Sequence, residues 1–98
     1  MKLIARKHAI FIPFQYVGGE IALRQLKDFL APNCFYSIDD DGQVFVCFYN
    51  NSDDKFALFV DGWILKDLDG TIRSNCYTTE ELNKLYVEIT LGEENGRK

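Results

Sequence analysis

The sequence predicts an α+β domain: a mostly antiparallel sheet of about five strands, one main helix (20–31) and a short C-terminal helix (79–86). Three observations support this class. Apolar residues recur at helical spacing over 20–31. Short apolar runs are separated by Asp-rich and Asn-rich turns, which is typical of hairpins. A Thr-x-x-Glu pattern begins at Thr78 and marks a helix start.

Size and composition fit one domain. The chain has 98 residues, of which 47% are hydrophobic and 14% aromatic, which is enough for a core built from large rings. We assign residues 1–91 to this domain and expect the polar residues 92–98 to form a flexible C-terminal tail. The net charge is −4, so the chain lacks the positive field that phosphate-backbone binding needs. We therefore expect no direct nucleic-acid binding.

The main helix follows the first predicted strand. Residues 8–16 alternate as a strand does, and Pro13 indicates an edge or a bulge because proline cannot donate to a ladder. Gly18 and Gly19 end that strand. Over 20–31 one helical stripe is apolar and is expected to face the core. Its members are Ala22, Leu23, Leu26, Phe29 and Leu30.

The middle of the chain predicts a meander of turn-linked strands. The predicted strands are 34–38 with 43–49, then 55–60, then 63–66 with 71–73. The first turn, 39–42, ends in Asp-Gly, which tolerates the positive φ of a tight hairpin turn. The strand 43–49 is apolar on both faces, so we place it in the interior of the sheet.

The short C-terminal helix has its own start signal. Thr78 and Glu81 have the spacing of a capping box, in which each side chain bonds the other residue's backbone N–H. Leu82, Leu85 and Tyr86 then recur at helical spacing. Residues 87–91 return to strand periodicity.

No catalytic or metal-binding constellation is evident in the sequence. His8 is the sole histidine, and Cys34, Cys47 and Cys76 lack the paired spacing of a zinc site or a disulfide framework. No apolar run has the length of a membrane span. We therefore expect a cytoplasmic protein that is not an enzyme, carries no cofactor or metal and does not bind membranes.

The order of short motifs resembles a family of small uncharacterised phage and prophage proteins. That family opens Arg-Lys-Lys-Pro, continues to Ala-Phe-Gln-Trp, and later shows Pro-Gly-Asp-Trp-Ile, Gly-Glu and Phe-x-x-x-Tyr-Glu. The matching features here are Arg6-Lys7, Phe14-Gln15-Tyr16, Trp63-Ile64, Asp69-Gly70 and a terminal helix closing on Tyr86. The likeness spans nearly the whole chain. It implies a phage-encoded accessory protein that acts in the host cytoplasm.

This chain departs from the family pattern at two motifs. The Lys-Pro of the family is His8-Ala9 here, and its Gly-Asp before Trp is reversed as Asp61-Gly62. The segment between Ile72 and Tyr86 is about two residues longer than the corresponding segment of the family pattern. The family resemblance brings no established activity with it.

Three functions follow as expectations. The first is non-enzymatic binding to a host protein, such as a defence or replication factor. The second is binding of a small nucleotide-type ligand in an aromatic-lined cleft near Trp63, either by a single chain or by a homo-oligomer. The third is a weakly acidic nucleic-acid mimic built from the Asp-rich turns. The candidate binding residues are Trp63, Tyr16, Asp61, Arg6 and Lys7.

Overall fold

The computed structural model describes residues 2–6 and 9–90. They form an α+β fold with two antiparallel sheets, in the strand orders β6-β2-β1-β7 and β3-β4-β5. The elements in chain order are β1 (Lys2–Arg6), β2 (Ala9–Tyr16), α1 (Glu20–Leu30), β3 (Cys34–Ile38), β4 (Val44–Phe48), β5 (Asn51–Leu58), β6 (Gly62–Asp67), α2 (Thr79–Leu85) and β7 (Val87–Thr90).

The predicted fold class is confirmed, but the single five-stranded meander is wrong. The described residues contain seven strands, divided between a four-stranded and a three-stranded sheet. After the second hairpin the chain returns to β2, where β6 pairs from Phe11↔Asp67 to Tyr16↔Gly62. A strand at Lys2–Arg6, which the charged start of the chain obscured, adds β1 beside β2. The predicted return strand 71–73 forms only an isolated pair of Ile72 with Lys66.

The predicted main helix is confirmed and joins the two sheets. Ala22, Leu26 and Leu30 recur every four residues on one face of α1, and all three are buried. The helix contacts both β2 and β3. The cluster around it draws on both sheets and consists of Tyr16, Ala22, Leu26, Leu30, Cys34, Val44, Val46, Leu58, Ile64 and Ile72.

The three-stranded sheet contains the predicted hairpin, with β4 in the middle. Its last strand begins earlier than predicted, at Asn51 rather than 55, because the turn occupies only Tyr49 and Asn50. Asp53 and Asp54 therefore lie in an edge strand, where exposed charge is tolerated. The turn at 39–43 is at the opposite end of the sheet, beside the Val44↔Leu58 pair.

Pro13 lies where β2 has only one neighbour. The pairing of β1 with β2 ends at Ile4↔Phe11, whereas Pro13 pairs with Leu65 of β6. The missing N–H therefore costs no hydrogen bond on the β1 side. Pro13 correctly predicted an edge, but only part of the strand is one: β2 lies between β1 and β6 in the sheet and lacks the β1 neighbour beyond Phe11.

The second helix covers the other face of the four-stranded sheet. The Thr78–Glu81 capping box is present, with Glu81 N–H donating to Thr78 Oγ1 at 3.1 Å and Thr78 N–H to Glu81 Oε1 at 2.9 Å. Leu82 packs in a second buried cluster with Ile4, Phe11 and Leu65. The helix ends at Leu85, one residue before the predicted end. The predicted tail 92–98, with Lys7 and His8, lies outside the described residues.

Neither of the two helices in the described part of the chain is long and apolar enough to cross a membrane.

Candidate functional site

The largest cleft among the described residues opens beside α2, where the ends of β1 and β2 meet the segment 71–77. Its volume is about 580 Å³. We call it the arginine–tyrosine cleft. Its lining residues are Arg6, Ala9, Phe11, Thr71, Ile72, Arg73, Ser74, Asn75, Tyr77 and Tyr86.

The apolar wall of the cleft is made of three rings. The ring of Tyr86 meets the buried ring of Phe11 edge-on, with 5.6 Å between centroids. Tyr77 meets Tyr86 in a second edge-on contact at 5.9 Å, and the two hydroxyl oxygens are 3.5 Å apart. This geometry is favourable for aromatic pairs. It holds both phenol groups at the same side of the cleft.

The segment 71–77 is fixed to the outer edge of β6 by backbone hydrogen bonds. Tyr77 N–H donates to Trp63 O at 2.8 Å, and Trp63 N–H donates to Tyr77 O at 2.7 Å. Arg73 N–H donates to Leu65 O at 2.9 Å. The side chains of Arg73 and Tyr77 therefore extend from an anchored backbone. Such a site is partly pre-formed, which lowers the cost of ordering it around a ligand.

Arg73 is partly neutralised. Its Nε donates to Asp67 Oδ1 at 2.9 Å, and its guanidinium carbon lies 5.3 Å from the centroid of the Phe11 ring. The two terminal amino groups of this guanidinium have no partner among the described residues. Asp67 and Phe11 thus orient the group and leave donors available.

Arg6 is the unneutralised cation of the cleft. It is exposed, and none of the described carboxylates lies within ion-pair distance of it. Its guanidinium is close enough to Tyr86 to favour the phenolate form. The described lining residues therefore include two arginines and no carboxylate, in a chain whose net charge is −4.

The phenol of Tyr86 is a hydrogen-bond donor at neutral pH. Burial raises its pKa above the usual value, as does its hydrogen bond with Tyr77. Arg6 acts in the opposite direction and is the smaller effect. Asn75 Nδ2 donates to Tyr77 Oη at 3.4 Å. The polar groups of the cleft are accordingly donors or neutral groups, and they suit an anionic ligand.

The candidate binding residues from the sequence do not form one site. Arg6 lines the arginine–tyrosine cleft. Trp63 is half-buried and lines a separate pocket of about 200 Å³, which shares only Tyr86 with the cleft. Tyr16 is buried on the opposite face of the sheet. Asp61 is exposed in the turn before β6, where its N–H donates to Tyr16 O at 2.6 Å. Lys7 lies outside the described residues.

Sequence patterns did not identify Arg73, Asn75 and Tyr77 as site residues. They lie in a polar segment that has no periodicity, between the edge strand β6 and the capped helix α2. The available signal was the concentration of donor side chains within 71–77, directly before the capping box. The sequence pattern identified Tyr86 only as the last apolar residue of the predicted helix 79–86.

A metal centre is not apparent in the described part of the chain, where no group of three His, Cys, Asp or Glu side chains is placed to hold an ion. Comparisons with protein-family models, curated proteins and solved structures give no match to this chain. The resemblance to phage proteins therefore rests on its motifs alone.

Proposed function

We propose that this protein is a non-catalytic binding protein that takes a small organic anion in the arginine–tyrosine cleft. One observation carries the proposal: an acidic chain places two arginines and no carboxylate in the lining of its largest described cleft. Charges of one sign in a concave site raise the local concentration of an oppositely charged ligand.

The chemistry of the lining supports a phosphate-bearing or carboxylate-bearing ligand. A guanidinium presents planar donors that match either group in two parallel hydrogen bonds. The hydroxyls of Tyr77 and Tyr86 add neutral donors at the aromatic side, where a flat organic group has rings to contact. The volume is within the range of small-molecule sites. A nucleotide-type ligand combines both features.

Binding is favoured over turnover because none of the described lining residues is a ready general base. Among them there is no carboxylate, imidazole or thiol, and the raised pKa of Tyr86 keeps its phenol protonated at neutral pH. On the resemblance to phage proteins, we place this capture of a small anion in the host cytoplasm. The protein would then act by withholding a metabolite or signal from host enzymes.

Contact with a host protein is a second candidate function. The observation that favours it is an exposed apolar patch beside the β2–α1 turn, in which Val17 is 56% exposed, Ile21 69% and Val60 59%. A Cβ at Gly18 would lie 3.5 Å from Val60 Cγ2, so the two segments are adjacent. Exposed apolar patches mark interaction sites. In pull-downs from host extract, Val60→Asp should lose any partner that the wild type enriches.

Nucleic-acid mimicry gains no support from the placement of the acidic residues. Asp39–Asp41 form the β3–β4 turn, whereas Asp53 and Asp54 lie near the start of β5, towards the other end of the same sheet. A continuous row of carboxylates would be needed to imitate the even spacing of backbone phosphates.

Calorimetric titration tests the ligand-binding proposal. The ligands are inorganic phosphate, adenosine mono- and diphosphate, and citrate, each at low salt. The decisive variant is Arg6→Met, and the matched control is Arg24→Met, which removes the same charge from an exposed i,i+4 pair with Glu20 on α1. We expect saturable binding that Arg6→Met weakens about tenfold or more, as loss of a hydrogen bond to a charged group predicts. Arg24→Met should change the affinity less than about twofold.

Two outcomes would contradict the proposal. One is that none of the four anions binds saturably. The other is that Arg24→Met weakens binding as much as Arg6→Met does, because the effect would then come from net charge and not from the cleft.

A further inference from the structure

Strand β3 is an unguarded sheet edge. It pairs only with β4, so alternate residues along it direct backbone N–H and C=O groups away from the sheet. No described residue bonds those groups. The strand, Cys34-Phe35-Tyr36-Ser37-Ile38, carries no charge and no proline. Monomeric proteins usually protect such an edge with charge, proline, a bulge or a covering segment.

The other three edges have some protection. β6 is covered by the pairs Trp63↔Tyr77 and Lys66↔Ile72. β5 carries Asp53, Asp54 and Lys55, and its register shifts near Phe48. β7 has four residues and carries Glu88. Of the edges in the described part of the chain, β3 alone is neutral and regular.

A groove of about 550 Å³ follows this edge, between β3 and the end of α1. Among the described residues that line it, Lys27 is the one with a charge. On the solvent side of the sheet the rings of Phe35 and Tyr49 are in contact, with centroids 4.7 Å apart. Tyr49 is 66% exposed and Ile38 49%. An added strand would cover apolar surface as well as pair the backbone.

We propose that the occupant of this edge is a second copy of the chain, paired antiparallel through β3 to form one six-stranded sheet. A two-fold axis at Tyr36 sets Phe35 opposite Ser37 of the second copy, and Cys34 opposite Ile38 of the second copy. In these two pairs a bulky side chain faces a small one, Tyr36 faces Tyr36 of the second copy on the axis, and no like charges are opposed.

Charge complementarity favours a second copy over an unrelated peptide. Because the strands are antiparallel, Ile38 of the second copy lies opposite Cys34 of the first. The chain of the second copy then continues into its own acidic turn, Asp39–Asp41. In the proposed pairing, the turn of the second copy comes to the end of the groove that Lys27 lines, where opposite charges attract. The two-fold axis repeats this approach of Lys27 and the turn, so each interface has two of them.

The solution mass of the full chain tests the pairing, measured by light scattering at a concentration on the order of 0.1 mM, well above a micromolar Kd. We expect twice the mass of one chain. Phe35→Lys, which introduces charge at the edge, should give the mass of one chain. The control Ala57→Lys adds the same charge to an exposed position on the opposite edge strand and should leave the dimer intact.

A charge reversal tests the pairing with substitutions that lie outside strand β3, so a change in the stability of that strand cannot explain the result. Lys27 and Asp40 are both exposed, so changing them should leave the fold intact. Lys27→Glu should weaken the dimer, and Lys27→Glu with Asp40→Lys should restore it. A wild-type chain that stays monomeric, or a dimer that survives both Phe35→Lys and Lys27→Glu, overturns the proposal. Anion binding in the cleft is a separate readout, because Arg6 is not part of this edge.

Discussion

The indole Nε1 of Trp63 donates a hydrogen bond to Thr79 Oγ1 at 2.8 Å. This bond ties β6 to the first residue of α2. The backbone of the same tryptophan exchanges two hydrogen bonds with Tyr77. One residue therefore positions both the helix that flanks the arginine–tyrosine cleft and the segment that lines it. Trp63 contributes to the cleft by holding its wall, while the pocket that it lines is a different one.

Thr79→Val should loosen α2 without changing the shape of residue 79. The variant removes the acceptor of the Trp63 indole, so we expect a loss of about 1 kcal/mol in the free energy of unfolding. The fluorescence of the single tryptophan should shift to longer wavelength as the indole becomes hydrated. Thr79→Ser keeps the hydroxyl and should retain the wild-type emission. An unchanged emission in Thr79→Val would show that this bond does not hold the indole.

Lys66→Met should destabilise the end of α1. Lys66 Nζ donates to Phe29 O at 3.0 Å and lies 4.4 Å from the centroid of the Phe29 ring. It thus satisfies a carbonyl in the last turn of α1 and complements the negative end of the helix dipole. We expect a loss of about 1–2 kcal/mol in urea unfolding.

Lys55→Met is the control for Lys66→Met. Lys55 is exposed, and its Nζ lies over the ring of Phe45, 4.7 Å from the centroid. Removing it should change the free energy of unfolding by about 0.5 kcal/mol or less. Equal losses in the two variants would mean that Lys66 does not act through the end of the helix.

Local patterns predicted local structure well in this chain. The stripe of α1, the Thr78–Glu81 capping box and the β3–β4 hairpin all depend on residues close in sequence. Pairings between distant segments were not predictable in this way. β6 pairs with β2 across about fifty residues, and nothing in either strand identifies the other as its neighbour.

The arginine–tyrosine cleft was unpredictable for the same reason. Arg6 and Tyr86 come together only because β7 returns the end of the chain to β1, where Ala5 pairs with Val87. Arg73 joins them because the segment after β6 folds back along that strand. Each of these contacts depends on strand order, which a one-dimensional pattern does not contain.

Gly62→Ala should destabilise the fold by steric conflict. A Cβ at this buried position would lie 2.5 Å from Cys76 Sγ and 2.8 Å from Phe59 O. Phe59 O also accepts a hydrogen bond from Gly62 N–H at 2.9 Å, so the backbone has little room to move. We expect a loss of about 1–3 kcal/mol in the free energy of unfolding.

A double variant separates the two conflicts at Gly62. Cys76→Ala removes the sulfur but leaves the Phe59 carbonyl in place. Gly62→Ala combined with Cys76→Ala should therefore lose less stability than the sum of the two single variants. Simple additivity of the two losses would show that the sulfur is not what excludes a larger residue.

Alkaline pH should destabilise the protein through Cys34. Burial, with a smaller contribution from nearby Cys47, raises the pKa of the Cys34 thiol from 9.0 to about 11. In the unfolded chain this thiol ionises at the lower value, so the unfolded state releases its proton first. The stability that the buried neutral thiol contributes is fully present below pH 9.0 and is lost as pH rises towards 11.

Urea unfolding between pH 8 and pH 11 measures this loss, and Cys34→Ala is the comparison because it has no group to titrate at that position. The variant starts from a lower stability at pH 8, since it leaves a small cavity in the core. Its stability should nevertheless fall less steeply with pH than that of the wild type. Tyr86 titrates in both proteins, so its raised pKa cancels in the difference between them. Parallel curves for the two proteins would show that the Cys34 thiol is not the group responsible.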